Sequence, residues 1–363
     1  MLHEEVRRSI FLVTISLADK GGGLERNIIR LANELASQGE MVSLVTFDEK
    51  EVSLFYPLDD RVKLKCIGVS KPHKATSISQ KLKLLVRLLR IYSSKGVIIA
   101  FHHGLMSRLI LGRLFGCRVV CSERNAPSIY DYITEKRDNR NFWLLRFSNA
   151  VTVQFKRYAA GYPHVRASRL FIVPNPVRVE ESHEDRRNVI LSVGRLEAQK
   201  QFHLLIEAFA SAEKPRGWEL RIIGNGDRRE FLVSEIARLK LSESVNLLPS
   251  TEDIAKHYHE ASFYCQPSQW EGFPNAQAEA MAAGCIPIGF EKTWGVSDLI
   301  RDGENGLLVS GDFAPGGLAA VLSNAMKNAD SCEPMRFKAM KIAEEYSDDK
   351  WRKAWGEVLA SIK

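Results

Sequence analysis

Two glutamates eight positions apart, Glu271 and Glu279, bracket a turn and the start of a helix in Ser268-Gln269-Trp270-Glu271-Gly272-Phe273-Pro274-Asn275-Ala276-Gln277-Ala278-Glu279. The Gly-Phe-Pro run predicts a turn, and Glu279 falls about one turn into the helix that follows. A helix N-terminus offers unpaired N–H groups and partial positive charge, which suits a phosphate. Carboxylates beside that terminus repel a phosphate but accept hydrogen bonds from hydroxyls flanking it. Ribose hydroxyls, a diphosphate and sugar hydroxyls in sequence make up a nucleotide-sugar. Taken alone, the pair is equally compatible with a solvated loop glutamate and a helix-surface glutamate.

Other residues sharpen the choice. Val193-Gly194-Arg195-Leu196-Glu197-Ala198-Gln199-Lys200 places a glycine turn and two cations at a strand end. Arg195 is suited to bidentate phosphate binding and Lys200 to acting as a point charge. Together they would neutralise a departing diphosphate; two solvated loop cations are the plainer alternative. Gly21-Gly22-Gly23 lets backbone approach a ligand closely. It is not GxGxxG, and no acidic residue ends the second strand, which disfavours a dehydrogenase. Ser122-Glu123-Arg124-Asn125 brings polar groups to the end of an apolar strand, where an N-cap before Pro127 would look the same. His102 and His103 follow the strand over 97–101 and are candidates for contact with a sugar or acceptor, or for a structural role. In Lys81 to Arg90, Lys83, Arg87 and Arg90 share a helical face while leucines cover a wide arc. That pattern fits an interfacial helix on anionic lipid, and equally a core-packed helix with a basic solvent face. Lys136 to Arg146 has the same character.

Positioning these groups requires alternating strands and helices. The apolar run over 9–17, the glycine turn, a helix through Leu24, Ile28, Leu31, Ala32 and Leu35 ending at Gly39, and a strand over 41–47 form a βαβ start. Strands are predicted over 97–101, 118–122 and 150–154. Pro174-Asn175-Pro176 and the charged stretch 179–188 read as the linker. A second series then has strands over 189–193, 219–223, 245–248, 261–266 and, as its last, 286–289. Helices fall over 202–212, 229–239 and 253–260. The expected fold is α/β, with two doubly wound domains facing each other across a cleft. Ligands would sit at the C-terminal ends of the strands.

The chain of 363 residues is comfortable for two cores. At 45% hydrophobic and 26% charged it has globular rather than disordered composition. No apolar run reaches the roughly 18 residues of a membrane span. Arg7-Arg8 and the apolar stretch after it resemble a signal peptide but run into Asp19-Lys20 without a small-residue cleavage site, so a first strand is expected. The six cysteines show no CxxC and no zinc spacing, and buried free thiols are expected. Charge is lopsided: residues 1–178 carry +14 and the remainder −7. The basic half attracts anionic lipid, a phosphorylated substrate or nucleic acid. Its cations are dispersed without an aromatic stacking stripe, which disfavours nucleic acid.

The ordered set of motifs resembles the family 4 retaining glycosyltransferases of the GT-B fold. The matching residues are Gly22 to Arg26 with Leu31 to Leu35, Val173 to Pro176, Gly194 to Leu196 with Lys200, Ile223 to Gly226, Glu271 to Pro274, Glu279 to Ala282 and Asp302 to Val309. Ser122 to Asn125 resembles the bacterial exopolysaccharide, O-antigen and amylovoran-type subgroup. The resemblance implies an acceptor-binding domain over 1–178 and a donor-binding domain over 189–345. A C-terminal segment over 346–363 would carry a helix, over 351–362, that crosses back. It implies that Glu279 binds the donor ribose, Glu271 the donor sugar, and Arg195 and Lys200 the diphosphate. Backbone N–H groups of Phe273 to Asn275 and of Gly22-Gly23 would line the sugar–phosphate site, beside Gly194, Gly272 and Pro274. Where many relatives have a histidine, this chain has Glu123, a candidate for its catalytic role. Asn125, His102 and His103 are candidates for the sugar or acceptor.

The implied activity is transfer of one sugar from a nucleotide-sugar, expected to be UDP-linked, to a lipid-linked or growing surface glycan. It would proceed with retention, without a bound metal (no Asp-x-Asp occurs) and without a cofactor, at the cytoplasmic face of the plasma membrane. Alternatives are a GT-B nucleotide-sugar epimerase or sugar phosphorylase and, in another class, a basic nucleic-acid- or membrane-binding protein.

Overall fold

The computed structural model describes residues 8–17, 22–48, 52–68, 77–131, 139–178 and 184–362. The chain forms two compact units, one of residues 1–124, 135–173 and 353–363, the other of residues 125–134 and 174–352.

The first unit is built on a seven-stranded parallel sheet in the order β3-β2-β1-β4-β5-β6-β7. Its strands are β1 (Ser9–Thr14), β2 (Met41–Thr46), β3 (Lys63–Cys66), β4 (Val97–Ala100), β5 (Arg118–Ser122), β6 (Ala150–Val153) and β7 (Leu170–Ile172). β1, β4 and β6 are near-continuous apolar runs because both faces of a parallel sheet are covered. The helices are α1 (Gly23–Ser37), α2 (Ile78–Tyr92), α3 (Met106–Leu109) and α4 (Asn139–Leu144). α1 buries Ile28, Leu31, Ala32 and Leu35, the stripe that the spacing predicts, and Gly39 follows its end at φ 88°. α2 opens with a capping box between Ser77 and Gln80.

The second unit has a six-stranded parallel sheet in the order β10-β9-β8-β11-β12-β13. Its strands are β8 (Arg187–Val193), β9 (Glu219–Ile223), β10 (Val245–Leu248), β11 (Ala261–Gln266), β12 (Ile286–Phe290) and β13 (Leu307–Val309). Helices α5 (Phe202–Ser211), α6 (Arg229–Arg238), α7 (Ile254–Glu260), α8 (Asn275–Ala282), α9 (Val296–Leu299), α10 (Pro315–Lys327), α11 (Glu333–Met340) and α12 (Ile342–Glu345) complete it. The core on one face joins Phe202, Leu205 and Phe209 of α5 to Leu220, Ile222, Phe263 and Ile288 of the sheet and Leu318 and Leu322 of α10. The last helix, α13 (Asp348–Ser361), starts in the second unit, and residues from 353 onward group with the first. There Trp355 lies near Arg124, and the Arg118 Nε–H donates to the Ile362 carbonyl at 2.9 Å.

Two expectations are corrected. Ile286–Gly289 is not the last strand: it extends to Phe290, and β13 follows the Asp302–Gly306 turn. The stretch 179–188 is not linker throughout. Arg187 and Asn188 belong to β8, and the Arg186 guanidinium donates to the Tyr258 carbonyl at 2.9 Å and to those of Ala261 and Ala283. Residues 179–183, Gly21 and the start of the Lys136–Arg146 segment lie outside the described residues. All six cysteines are free; Cys117, Cys121, Cys265 and Cys285 are buried, while Cys66 and Cys332 are half-buried.

Candidate active site

In the second unit the site grows from the ends of β8, β9 and β11. The loops after β8 and β9 lie backbone against backbone: Gly194 N–H donates to the Ile223 carbonyl, Leu196 N–H to that of Asn225, and Arg228 N–H to that of Leu196. Only glycine permits this approach at 224, where φ is 158° and a Cβ would lie 1.9 Å from the Gly194 oxygen. Gly194 serves the same purpose for a side chain, since a Cβ there would come within 3.3 Å of Lys200 Cε.

Lys200 passes over Gly194 to Glu271, its Nζ donating to Oε1 at 2.6 Å. Glu271 is 9% exposed, so the solvated-loop alternative does not hold. The same oxygen accepts from Gln266 Nε2 at 2.9 Å, and Gln266 also donates to Ser268 Oγ at 2.6 Å. Tyr264 gives its hydroxyl proton to Gln266 Oε1 at 2.8 Å or to the Val193 carbonyl at 3.2 Å, which ties this network back to β8. Burial pushes the Tyr264 phenol far above its ordinary value, and the nearby charges of Glu271 and Glu279 add to this. Tyr264 reaches Glu271 through Gln266, and its ring packs edge-on to that of Tyr258, the partner of Glu279. Glu279, half-buried on α8, accepts from Tyr258 Oη at 3.2 Å.

The start of α8 is fixed by neighbours. Asn275 Oδ1 accepts from the buried Asn175 at 2.9 Å, and the Phe273 ring packs edge-on to Tyr346. The amides expected over Phe273 to Asn275 need correction. Pro274 has no N–H, and that of Asn275 closes onto the Phe273 carbonyl at 2.9 Å. The Ala278 N–H bonds to Pro274 O, so the Ala276 and Gln277 amides stand ahead of it in the first turn. Arg195 differs from Lys200: its side chain is 71% exposed and pairs with Glu197 at 2.7 Å.

The first unit treats its candidates differently. Glu123, expected to present its carboxylate to a ligand, is 4% exposed. Its Oε1 accepts from the His103 N–H at 2.5 Å and its Oε2 pairs with His103 Nδ1 at 3.0 Å, with Tyr162 Oη at 3.4 Å. Burial opposes its charge, but the histidines and the Cys121 thiol outweigh burial and hold the carboxyl down at about 2. His103 is buried with it; His102 is half-buried, its ring stacked on His103 at 4.2 Å. Asn125 is exposed. Gly22 precedes α1, and a Cβ there would lie 2.5 Å from Glu25 Oε2, so a carboxylate already stands at that helix start. Gly23 opens the helix.

α2 packs one face into the unit and leaves the other exposed. Leu84, Leu88, Ile91 and Tyr92 are buried, whereas Ile78, Leu82, Leu85, Val86 and Leu89 form an exposed apolar stripe. Lys83 and Arg90 are exposed beside it. Arg87 turns back to donate to the Cys66 and Ile67 carbonyls. Among the described residues no helix is long and apolar enough to cross a membrane.

Sequence reasoning missed Tyr258, Tyr264, Gln266 and Asn175 as supports of the site. A signal existed for two of them. Tyr264 and Gln266 stand two apart near the end of β11, so they share one face at its C-terminal end.

Residues 176–342 match the family model "Glycosyl transferases group 1". The chain is similar to an uncharacterized glycosyltransferase of Haemophilus influenzae, 26% identical over 356 residues, covering 96% of this chain and 98% of the relative. It is 24% identical over 361 residues to the amylovoran biosynthesis glycosyltransferase AmsD of Erwinia amylovora, covering 96% and 99%. It is also 24% identical over 359 residues, covering 94% and 96%, to a Campylobacter jejuni N-acetyl-D-galactosaminyltransferase whose named acceptor is a saccharide on diphospho-undecaprenol. The crystal structure of Anabaena HepE with UDP and glucose superposes with a TM-score of 0.77 at 17% identity, covering 98% of this chain and 100% of that one. The two sheets and their order are those of the GT-B fold. The match to the group 1 glycosyl transferases covers residues 176–342, within the second unit, while the similarity to the glycosyltransferases above runs nearly the whole chain.

Proposed function

We propose that the protein moves one sugar, with retention, from a UDP-linked donor to a lipid-linked or growing surface-glycan acceptor at the inner face of the plasma membrane. The observation that carries this reading is the Lys200–Glu271 pair at 2.6 Å, held over Gly194 on one side, with Glu279 about one turn into α8 after it. Glu279 accepts from the ribose hydroxyls and Glu271 from the donor sugar. Lys200, joined by Arg195 swinging off Glu197, takes the charge that grows on the leaving diphosphate. With Glu271 tied to Lys200 and Gln266, it is a poor nucleophile. Same-face substitution follows: the acceptor oxygen bonds to the anomeric carbon as the bond to diphosphate breaks. The acceptor proton passes to the departing phosphate oxygen. Metal is not required, since cationic side chains supply the positive charge. The acceptor class rests on the relatives' named substrates and on the basic first unit, whose α2 stripe suits an anionic lipid surface.

Nucleotide release from a panel of UDP-sugars, with and without membranes bearing the acceptor, tests this, with thermal shift reporting donor binding. Wild type should release UDP in an acceptor-dependent way, unaffected by chelator. Glu279→Ala should lose the donor-induced shift. Release that ignores the acceptor, or near-normal turnover of Glu279→Ala, would sink the reading.

A further inference from the structure

His102 stands at the end of β4, and β4 pairs with β1 on one side and β5 on the other. The sheet order reverses at the β1/β4 boundary, where doubly wound sheets bind ligands beyond their strand ends. The backbone of His102 has φ 143° and ψ 136°, a conformation that glycine adopts freely and a side chain resists. A glycine would make this turn without strain, so the imidazole is retained against a local cost.

Its surroundings hold it there. The Gly104 N–H donates to His102 Nδ1 at 2.9 Å, so in the neutral ring the proton sits on Nε2. Residue 104 has to be small for this: a Cβ on Gly104 would lie 2.8 Å from that Nδ1. From below, Glu123 accepts from the next residue's N–H and pairs with its ring, and the His103 ring, stacked on His102, is wedged edge-on against Phe142. His103 and Glu123 are buried, and His102 is the member of the group that remains half-exposed.

We infer that His102 is a sugar-contacting residue of the first unit, its Nε2–H donating to a hydroxyl oxygen of the acceptor glycan. Gly104, His103 and Glu123 are its positioning residues. The inference rests on the glycosyltransferase reading above and adds to it the residue that meets the acceptor.

The test uses the full chain, a panel of radiolabelled UDP-sugars, and membranes from source cells deleted for this gene as acceptor. His102→Gly should lose at least about tenfold in kcat/KM for acceptor, keep its KM for donor, and melt about 2–4 °C higher because the strain is gone. His102→Asn, which keeps an N–H donor and the backbone strain, should recover part of the transfer loss but not the gain in melting temperature. Gly104→Ala, which displaces the ring without removing it, should reproduce the acceptor defect. Transfer by His102→Gly within twofold of wild type, or a lower melting temperature in that variant, overturns the inference. Absence of transfer by wild type with every donor overturns the glycosyltransferase reading itself, a result distinct from a variant that matches an active wild type.

Discussion

The two units solve the same problem, holding polar groups at the ends of parallel strands, in opposite ways. In the second, a charged pair is supported by a neutral network that runs through Gln266 and Tyr264 back to β8. In the first, the hydrogen-bonded pair of Glu123 and His103 is itself the support, and the preceding residue bears the backbone strain. Their surfaces differ too. Among the described residues most exposed large apolar side chains lie in the first unit, and the second contributes Phe231, Val233, Phe337 and Met340. One unit holds its charged pair through neighbours, and the other exposes more apolar surface and a strained loop residue.

The sharpest way to break this contrast is Lys200→Ala. It removes the cation assigned to the leaving group and strands the carboxylate of Glu271. A fall in kcat of about 10²–10³ is expected, the size seen when one preorganised group at a developing charge is lost. Arg195→Ala should cost far less in kcat, because its side chain reaches the site from an exposed position. Equal losses in the two variants would put exposed Arg195 on a par with the buried pair and remove the contrast.

Glu123→Gln probes the first unit, where the expected effect is on stability. Losing a charge-assisted bond to His103 should destabilise by about 1.5–3 kcal/mol at neutral pH. The carboxyl is depressed from 4.5 to about 2, so its contribution is fully present above pH 4.5 and vanishes as pH falls toward 2. Denaturation midpoints of wild type and variant should stay a constant distance apart above pH 4.5 and converge below it. A gap that persists at pH 2 would mean that the charge is not what Glu123 contributes.

Gln266→Leu is the neutral counterpart. It leaves Lys200 and Glu271 in contact but removes the amide that orients Oε1. A loss of about tenfold in kcat, with donor KM little changed, is expected for one such hydrogen bond. A change confined to KM would assign Gln266 to donor binding instead.

How much of this was legible in the sequence follows the same division. The strands over 118–122, 219–223 and 261–266 stand where they are predicted, because inner strands of a parallel sheet bury apolar residues such as Val119, Val120, Leu220, Ile222 and Phe263; the outermost β10 is also found at 245–248, on its Val245, Leu247 and Leu248. β3, β7 and β13 are outermost in their sheets and short, and Lys63–Cys66 alternates charge with bulk, so their apolar signal is weak. At the site, residue types and order pointed to Lys200, Glu271 and Glu279. The partners did not show, because the contact between Tyr264 and Val193 depends on the register of β11 against β8, more than 70 residues apart. Nothing local marks His102 as the residue with positive φ, since the surrounding hydrogen bonds impose that conformation.

The smallest expected effects lie on α2, where membrane contact would rest on several weak terms. Partition onto vesicles containing phosphatidylglycerol, compared with phosphatidylcholine alone, measures them. Lys83→Glu and Arg90→Glu should each weaken binding about fivefold or more, since a cation near an anionic surface contributes about 1 kcal/mol. Leu85→Ser should weaken binding to both vesicle types by removing apolar area from the exposed stripe. Arg87 separates the two roles of this helix. Its guanidinium donates to the Cys66 and Ile67 carbonyls, so Arg87→Gln should lower the melting temperature while reducing partition less than Lys83→Glu does. If Arg87→Gln were instead the variant that lost vesicle binding without losing stability, the basic face, not the apolar stripe, would be the membrane-directed side of α2.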